Sequence, residues 1–328
     1  MIISKSPLRI TLGGGGTDLP AWYKKHGCFL FAMAINKFVY VTISKRFNDN
    51  KIWLSYSNTE AVNNINLIKN NYIKSCLSKI KNVKGIEIHS ISDVPGNSGL
   101  GSSGAFLVSL NHALYKYYNI SFDKKKIAEE SCHIESDVLK KNTGKQDQYM
   151  ATYGGLRTLE IDKKGNTSIK LIKINSNIIE NLEDNTLLYF SGVYRSASNI
   201  LQKQQKNIQE QSSTVDYMHM IQEIGYKSFE AIKQGNLDTF GMLLNDHHNI
   251  KKKLSSLMSN NKLDKIYSTA MDYGALGGKN IGAGGGGVFM FYVPKNQQIK
   301  FRIKMKKIGI FEMNWKFNPL GSLTHDIN

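Results

Sequence analysis

Cysteine is scarce in this chain, and long apolar runs are absent from it. The three cysteines among 328 residues, Cys28, Cys76 and Cys132, are odd in number and far apart. Such spacing predicts neither a disulfide framework nor a thiolate zinc site. No run reaches the ~18 apolar residues that a membrane span needs, and the start of the chain lacks the apolar core of a signal peptide. We therefore expect a cytoplasmic protein with no membrane partner.

Acidic side chains are few as well, with 26 Asp and Glu against 43 Lys and Arg, a net charge of +17. This excess favours anionic partners. The lysines are scattered rather than grouped with aromatic residues on one element, which argues against a nucleic-acid partner. Phosphorylated small molecules and ATP are anionic too, so the charge alone does not decide. A basic nucleic-acid-binding protein without catalytic activity stays as an alternative.

The order of the predicted elements indicates an α+β fold, because strands and helices are mixed without strict βαβ alternation. The length favours two domains. We place their boundary in the polar stretch 175–184, which gives domains of residues 1–178 and 179–328. Predicted strands lie at 1–12, 29–35, 38–43, 51–56, 86–91, 156–161, 168–174, 186–190 and 288–293. Predicted helices lie at 66–81, 105–118, 123–139, 199–234, 238–253, 262–273 and 296–307, and a further short helix starts with residues 144–151 and is closed by 153–155.

Residues 92–105 are rich in glycine and serine and lead into the helix predicted from residue 105. Such a loop places unpaired N–H groups and the positive end of the helix dipole together, which makes an anion site. Ser102 and Ser103 stand where a hydroxyl can bond a phosphate oxygen or Mg²⁺. The loop is neither a Walker loop, since no lysine follows its last glycine, nor a G-x-G-x-x-G fingerprint. A loop that caps a helix without a ligand is the alternative.

Two acids, Glu135 and Asp147, lie in separate predicted elements twelve positions apart. Phosphoryl transfer needs carboxylates both to hold Mg²⁺ and to orient or deprotonate the attacking hydroxyl. Solvated helix residues are the simpler interpretation of both. Arg9 and Asp18 flank the glycine run 13–16, where an arginine can steady a catalytic aspartate and an aspartate can hold sugar hydroxyls. An Asx turn or a helix N-cap is the alternative for Asp18.

Three separated segments together resemble the motifs of the GHMP small-molecule kinases, which include galactokinase and mevalonate kinase. Residues 6–10 with 15–18 resemble the first motif, 95–105 the second and 282–287 the third. Glu135 and residues 144–149 match the family's magnesium glutamate and catalytic aspartate. The resemblance implies the two-domain GHMP kinase fold, an N-terminal domain like domain 2 of ribosomal protein S5 and a ferredoxin-like C-terminal domain.

The resemblance also implies the roles of individual residues. ATP would lie on the second motif, at Pro95, Gly96, Ser98, Gly99, Leu100, Gly101, Ser102, Ser103 and Gly104. Ser103 and Glu135 would hold Mg²⁺, and Asp147, with Arg9 as its partner, would be the catalytic acid group. The substrate would face Gly15, Gly16, Thr17, Asp18, Ala283 and Gly284. Gly104 departs from the family, most of whose members have Ala or Ser there.

The first motif narrows the substrate, because galactokinases carry Glu and His where this chain has Gly15 and Gly16. Its Gly-Gly-Gly-Thr-Asp-Leu-Pro version is similar to that of the D-glycero-D-manno-heptose 7-phosphate kinases. That similarity implies phosphorylation of the C1 hydroxyl to the α-1,7-bisphosphate, on the route to GDP-heptose for surface polysaccharides. Another anomeric sugar kinase, such as one for fucose, is the alternative.

A substrate that already carries a phosphate needs a basic group away from the transferred one. Arg195 is the first candidate and Lys145 the second, with solvated surface cations as the alternative for both. The run 251–253 is interpreted as a solvated helix end, and His247 and His248 as core or surface histidines. The sequence leaves a homodimer open.

Overall fold

The computed structural model describes residues 1–194 and 197–327. The strands are β1 (Ile2–Gly13), β2 (Cys28–Lys45), β3 (Ile52–Ser55), β4 (Thr59–Val62), β5 (Ile86–Ser92), β6 (Leu156–Ile161), β7 (Thr167–Leu171), β8 (Thr186–Phe190), β9 (Gly277–Asn280), β10 (Val288–Tyr292), β11 (Phe311–Met313) and β12 (Leu323–Asp326). The helices are α1 (Pro20–His26), α2 (Asn71–Leu77), α3 (Ser102–Tyr117), α4 (Lys124–His133), α5 (Gln146–Tyr153), α6 (Ser176–Asn185), α7 (Ala197–Glu210), α8 (Ser212–Lys233), α9 (Leu237–Lys253), α10 (Asn261–Asp272) and α11 (Gln298–Lys307). A π-helical turn, Ile134–Val138, continues α4.

Strand β2 is the axis of the larger sheet. It pairs with β1 along one edge, and on its other edge with β6 through residues 28–33 and with β5 through residues 39–45. The remaining strands extend the sheet outward from these neighbours, in the order β12-β1-β2-β5-β3-β4, with β7 beside β6. Helix α3 packs on β1 and β2 and also contacts α5. The start of α3 therefore lies directly beside β1.

The smaller sheet is antiparallel, in the order β11-β8-β10-β9. Helices α8 and α9 pack together, α9 against β9 and α8 against β1 and β2. At that second contact a Cβ added to Gly225 would lie 2.7 Å from the backbone nitrogen of Gly14, so glycine allows the helix to approach the strand. One apolar core accordingly contains Leu8 and Phe31 from the first half and Phe240 and Met290 from the second.

The mixed α+β architecture agrees with the sequence prediction, and most elements fall where the hydrophobic pattern indicates. No helix of residues 1–194 and 197–327 is long and apolar enough to cross a bilayer. The end of the chain returns to the larger sheet, where β12 pairs with β1. The predicted domain boundary at 178 falls inside α6, and it stays a prediction.

Two predictions for the first half were wrong. The strand pair 29–35 and 38–43 is one continuous strand, because the residues between them form a bulge at the register shift opposite Pro7 and Leu8 instead of a turn. The helix predicted at 66–81 is confined to α2 and a 3₁₀ turn, since Asn70 caps α2 by accepting a hydrogen bond from the N–H of Ile73.

The second half also differs in three places. The polar stretch 175–184 forms α6, because Ile178 and Leu182 give it one apolar face and the Asn175 side chain caps it. The helix predicted at 199–234 is broken into α7 and α8 by the extended backbone of Gln211. Residues 277–280, expected as loop, pair with β10 as β9.

Candidate active site

A cavity of about 560 Å³ lies where the loop before α3, the glycine run after β1 and the loop before β10 meet. It gathers residues that are far apart in sequence. The predicted site residues that line it are Arg9, Gly15, Gly16, Asp18, Gly96, Gly99, Gly101, Ser102, Ser103, Glu135, Asp147 and Ala283. The three glycine-rich segments and both predicted acids therefore share one cavity.

The loop before α3 has the backbone shape that its glycines allow. Gly99 and Gly101 adopt φ of 88° and 85°, in the left-handed region, and Gly101 is the N-cap of α3. Helix α3 is 16 residues long, and no side chain caps its first turn. Its leading N–H groups and its dipole thus point toward the cavity lined by Ser102 and Ser103, an arrangement suited to phosphate.

Arg9 and Asp147 form a partly buried ion pair beneath this loop. The Arg9 Nε and Nη2 donate to Oδ1 of Asp147 at 2.8 and 2.5 Å, and Nη1 donates to the carbonyl of Gly99 at 2.6 Å. Arg9 is only 4% exposed and Asp147 19%. The guanidinium thereby fixes the carboxylate relative to the loop, at the rim of the cavity.

Glu135 lies on the π-helical turn, a local irregularity frequent at functional sites, and its carboxylate is held by polar neighbours. Tyr72 donates to Oε1 at 3.0 Å and Gln148 to Oε2 at 2.6 Å, and the Ser103 hydroxyl is a further hydrogen-bond partner. Burial raises the pKa of Glu135 to about 7, and the Asp147 charge adds to the shift, whereas the bonds from Ser103 and Tyr72 oppose it.

Ser103 and Glu135 together offer a hydroxyl and a carboxylate oxygen to one place in the cavity. Mg²⁺ is held in many kinases by one or two such protein oxygens with phosphates and waters. The donor set therefore fits magnesium. Among residues 1–194 and 197–327 there is no cluster of three His, Cys, Asp or Glu side chains suited to a metal.

Asp18 is buried against the turn before α5. Its Oδ2 accepts the N–H of Gln146 at 3.1 Å, and a Cβ added to Gly144 would lie 1.9 Å from that oxygen, so only glycine fits there. Burial raises the pKa of Asp18; the Gln146 N–H opposes this shift, and the Asp147 charge reinforces it. Asp18 and Arg9 are thus both residues of the first motif that line the cavity.

The loop 282–287 packs directly on the loop before α3. A Cβ on Gly282 would lie 2.6 Å from the carbonyl oxygen of Gly99, and one on Gly287 2.2 Å from that of Ser98. The Ser98 carbonyl accepts the N–H of Val288 at 2.9 Å. Glycine at these positions thus lets the second half of the chain close the cavity from one side.

Comparisons with known families agree with this geometry. A family model for the N-terminal domain of GHMP kinases matches residues 70–155, and one for their C-terminal domain matches residues 228–308. Together these stretches make up about half of the chain. The chain belongs to the GHMP kinase family. It is therefore a phosphotransferase with a hydroxyl group as acceptor.

Individual relatives extend over most of this GHMP kinase. A D-glycero-alpha-D-manno-heptose 7-phosphate kinase from Campylobacter jejuni is 29% identical over 98% of this chain and 97% of its own. An L-fucokinase/L-fucose-1-P guanylyltransferase from Bacteroides fragilis is 28% identical over 67% of this chain and 23% of its own. The crystal structure of a D-glycero-D-manno-heptose 1-phosphate kinase from Bacteroides thetaiotaomicron covers 100% of both chains with a TM-score of 0.84 and 22% identity. The predicted GHMP fold is confirmed.

Several residues predicted for the site do not line the main cavity of this GHMP kinase. Thr17 is buried, and its hydroxyl lies 2.7 Å from the Gly14 carbonyl and 3.0 Å from the Phe29 carbonyl. Pro95 lines a shallow neighbouring recess. The other residues that do not line it are Ser98, Leu100, Gly104 and Gly284. They shape the walls through backbone contacts, and their ligand roles stay predictions.

Of the two predicted phosphate clamps, Lys145 needs correction, whereas Arg195 stays a prediction. Arg195 lies outside the described residues. The Lys145 ammonium donates to Glu129, to the Gly165 carbonyl and to Thr167. It does not line the cavity, so it is a structural cation and neither a clamp nor a solvated charge.

Sequence reasoning missed several cavity residues, and two of them, Lys251 and Gln204, come from the second half of the chain. Lys251 was assigned to a solvated helix end, which describes only the exposed Lys252 and Lys253. Gln204 lies on a buried face of α7, and its amide is 3.1 Å from the position that a Cβ on Gly16 would take. Helical periodicity marks both positions as inward-facing but does not show that a cavity lies there. His247 and His248 are buried, the first of the two alternatives that the sequence left open.

Proposed function

We propose that this GHMP kinase transfers the γ-phosphoryl group of ATP to the C1 hydroxyl of D-glycero-D-manno-heptose 7-phosphate, giving the 1,7-bisphosphate. The Arg9–Asp147 pair carries the proposal: it puts a fixed carboxylate beside an anion-binding loop inside one cavity. We call the part with Arg9, Gly99, Ser103, Glu135 and Asp147 the transfer end. The acceptor end comprises Gly16, Asp18, Gln204, Lys251 and Ala283.

At the transfer end the reaction is an in-line displacement. The C1 oxygen forms a bond to the γ-phosphorus, the bond from that phosphorus to the β–γ bridging oxygen breaks, and ADP leaves with that oxygen. Asp147 takes the hydroxyl proton, and Arg9 keeps the accepting oxygen in place. Backbone N–H groups of the loop and first turn of α3 hold the phosphate charge.

Ser103 and Glu135 would hold Mg²⁺ when the nucleotide is bound. The ion supplies neutralisation of phosphate charge. Burial raises the pKa of Glu135 and so disfavours its ionised form in the metal-free protein. A cation next to it would favour the ionised carboxylate.

At the acceptor end, the absence of side chains at Gly15 and Gly16 leaves room beside Asp18 and Gln204. The Campylobacter jejuni relative named for the 7-phosphate spans nearly the whole chain, which supports a heptose phosphate as substrate. The Bacteroides thetaiotaomicron structure is named for the 1-phosphate instead. The position of the phosphate already present is thus a point for experiment.

L-Fucose is a second candidate, because the Bacteroides fragilis fucokinase relative matches two thirds of this chain. The anomeric hydroxyl would again be the acceptor. Fucose carries no phosphate, however, so a basic group at the acceptor end would not contribute to the affinity of the enzyme for fucose.

A substrate panel assayed for ADP release tests the proposal. The panel contains heptose 7-phosphate, heptose 1-phosphate, L-fucose, galactose and mevalonate, with the product identified by ³¹P NMR. Release with the 7-phosphate and a new anomeric phosphate signal support the proposal. Turnover of another member alone would overturn it, and no release with any would favour the non-catalytic alternative.

A further inference from the structure

We propose that Lys251 binds the phosphate that the substrate carries before transfer, and so makes this enzyme prefer phosphorylated over free sugars. This inference rests on the proposed function, because it concerns the acceptor of that reaction. The residue was not among those implied by the sequence, and it lines the cavity from the last turn of α9.

The Lys251 ammonium is placed by backbone carbonyls. Its Nζ donates to the carbonyl of Gly282 at 2.5 Å and to that of Asn280 at 3.3 Å. The side chain also passes the loop closely, since a Cβ added to Gly284 would lie 3.6 Å from its Cε. Loop 282–287 thus holds a half-buried charge at the cavity wall instead of leaving it in solvent.

Three basic side chains line the cavity among residues 1–194 and 197–327: Arg9, Lys141 and Lys251. Arg9 is engaged by Asp147 and the Gly99 carbonyl. The Lys141 backbone N–H donates to the carbonyl of Glu135, and its charge lowers the pKa of that carboxyl, so Lys141 belongs to the transfer end. Lys251 is the remaining cation, and it comes from the half of the chain that contributes Gln204.

The surroundings of Lys251 also favour an anion. Lys279 is 2% exposed and donates to the carbonyl of Leu12. Its pKa is lowered by burial and, to a smaller extent, by the charges of Lys251 and Arg9. Ala197 and Ser198 of α7 also line the cavity, and the Ser198 side chain brings a hydroxyl donor to it. A phosphate group has the charge and the acceptor oxygens for this wall.

The test compares Lys251→Gln and Lys251→Arg with wild type on heptose 7-phosphate and on the unphosphorylated heptose. Glutamine keeps an N–H donor for the Gly282 carbonyl but removes the charge. We expect Lys251→Gln to raise KM for the 7-phosphate about tenfold or more, as for a lost charge-assisted bond, with little change in kcat or in KM for the free sugar. Lys251→Arg should restore most of the affinity.

Lys252→Gln is the matched control, because Lys252 is exposed on the same turn and pairs with Asp264. It should behave as wild type. The KM for ATP, measured for each variant, reports whether the loop 282–287 keeps its shape. A fall in kcat with unchanged KM would mean that Lys251 acts on the transferred phosphoryl group, and this would overturn the proposal.

Two further results would also overturn it: an unchanged KM for the 7-phosphate in Lys251→Gln, or an equal rise in KM for both sugars. Failure of the proposed function is distinguishable, because it shows in the wild-type arm. Wild type would then not turn over heptose 7-phosphate, whatever the variants do.

Discussion

The two ends of the cavity are built differently. At the transfer end, Arg9 binds Asp147 and the loop, and Glu135 is held by Tyr72 and Gln148; all these residues come from the first half of the chain. At the acceptor end, Gln204 and Lys251 lie on separate helices of the second half and face glycines. The comparison teaches that, in the proposed reaction, one half of the chain would fix the chemistry and the contacts between the halves would select the sugar.

The largest expected effect is at the transfer end. Asp147→Asn keeps an oxygen for Arg9 but cannot take a proton. We expect kcat to fall about 10²- to 10⁴-fold, the usual range for loss of general-base catalysis, with KM for ATP nearly unchanged. Steady-state ADP release measures both constants.

Asp137→Asn is the control for that variant. Asp137 is an exposed acid on the π-helical turn, and its side chain is hydrogen-bonded to His133. Asp137→Asn should turn over like wild type. Full activity in Asp147→Asn would remove the proton-acceptor role and leave only positioning at the transfer end.

The second prediction concerns the buried Glu135 in metal-free protein. Its pKa is raised from 4.5 to about 7 in the folded state. Between pH 4.5 and pH 7 the folded protein therefore keeps this proton, whereas the unfolded chain has released it. Stability from this group is full below pH 4.5 and is lost as pH rises through 7. The advantage of Glu135→Gln over wild type should therefore grow by about 3 kcal/mol between pH 4.5 and 8.

Urea unfolding with EDTA at several pH values measures this difference. Comparing the two proteins at each pH cancels the titration of the other groups. If the difference in free energy of unfolding between Glu135→Gln and wild type were the same at pH 4.5 and pH 8, burial would not raise the pKa of Glu135. The transfer end would then be more solvated than its geometry indicates.

The two ends also differ in how far the sequence predicts them. Gly99 and Ser103 are marked by a local pattern, glycines before an apolar helix, whereas Glu135 and Asp147 are singled out by the resemblance to the GHMP motifs. Their chemistry follows from residue type and from the helix terminus beside them. The larger sheet was likewise predictable, since its strands are bounded by polar residues and glycine.

The acceptor end was not predictable in the same way. Lys251 and Gln204 sit on helices whose apolar stripes indicate packing alone, and the wall that they form depends on where α7 and α9 meet the loop 282–287. That meeting is a tertiary contact with no local signature. Similarly, nothing local shows that Lys145 folds back onto Glu129.

The third prediction tests the contact between the two halves of the chain, where the loop 282–287 meets the loop before α3. Gly287 adopts φ of +80°, and an added Cβ would meet the Ser98 carbonyl at 2.2 Å. Gly287→Ala should carry roughly 1–2 kcal/mol of backbone strain and also displace the loop before α3, which raises KM for ATP. Thermal unfolding and KM for ATP measure the two effects.

Gly309→Ala separates strain from displacement, because Gly309 has φ of +75° with nothing within 4 Å of an added Cβ. It should lose stability to strain without any change in KM for ATP. If both variants left that KM unchanged, the loop 282–287 would not support the nucleotide loop.

The smallest predicted effect is at the acceptor end, where Gln204 offers a neutral amide. A neutral hydrogen bond contributes about 0.5–1.5 kcal/mol, so Gln204→Leu should raise KM for the sugar phosphate about two- to tenfold and leave KM for ATP unchanged. Gln202→Leu, on the exposed side of α7, should change neither constant. If Gln204→Leu raised KM for ATP and KM for the sugar phosphate equally, the two ends would not be independent, because a side chain facing Gly16 would then also support nucleotide binding.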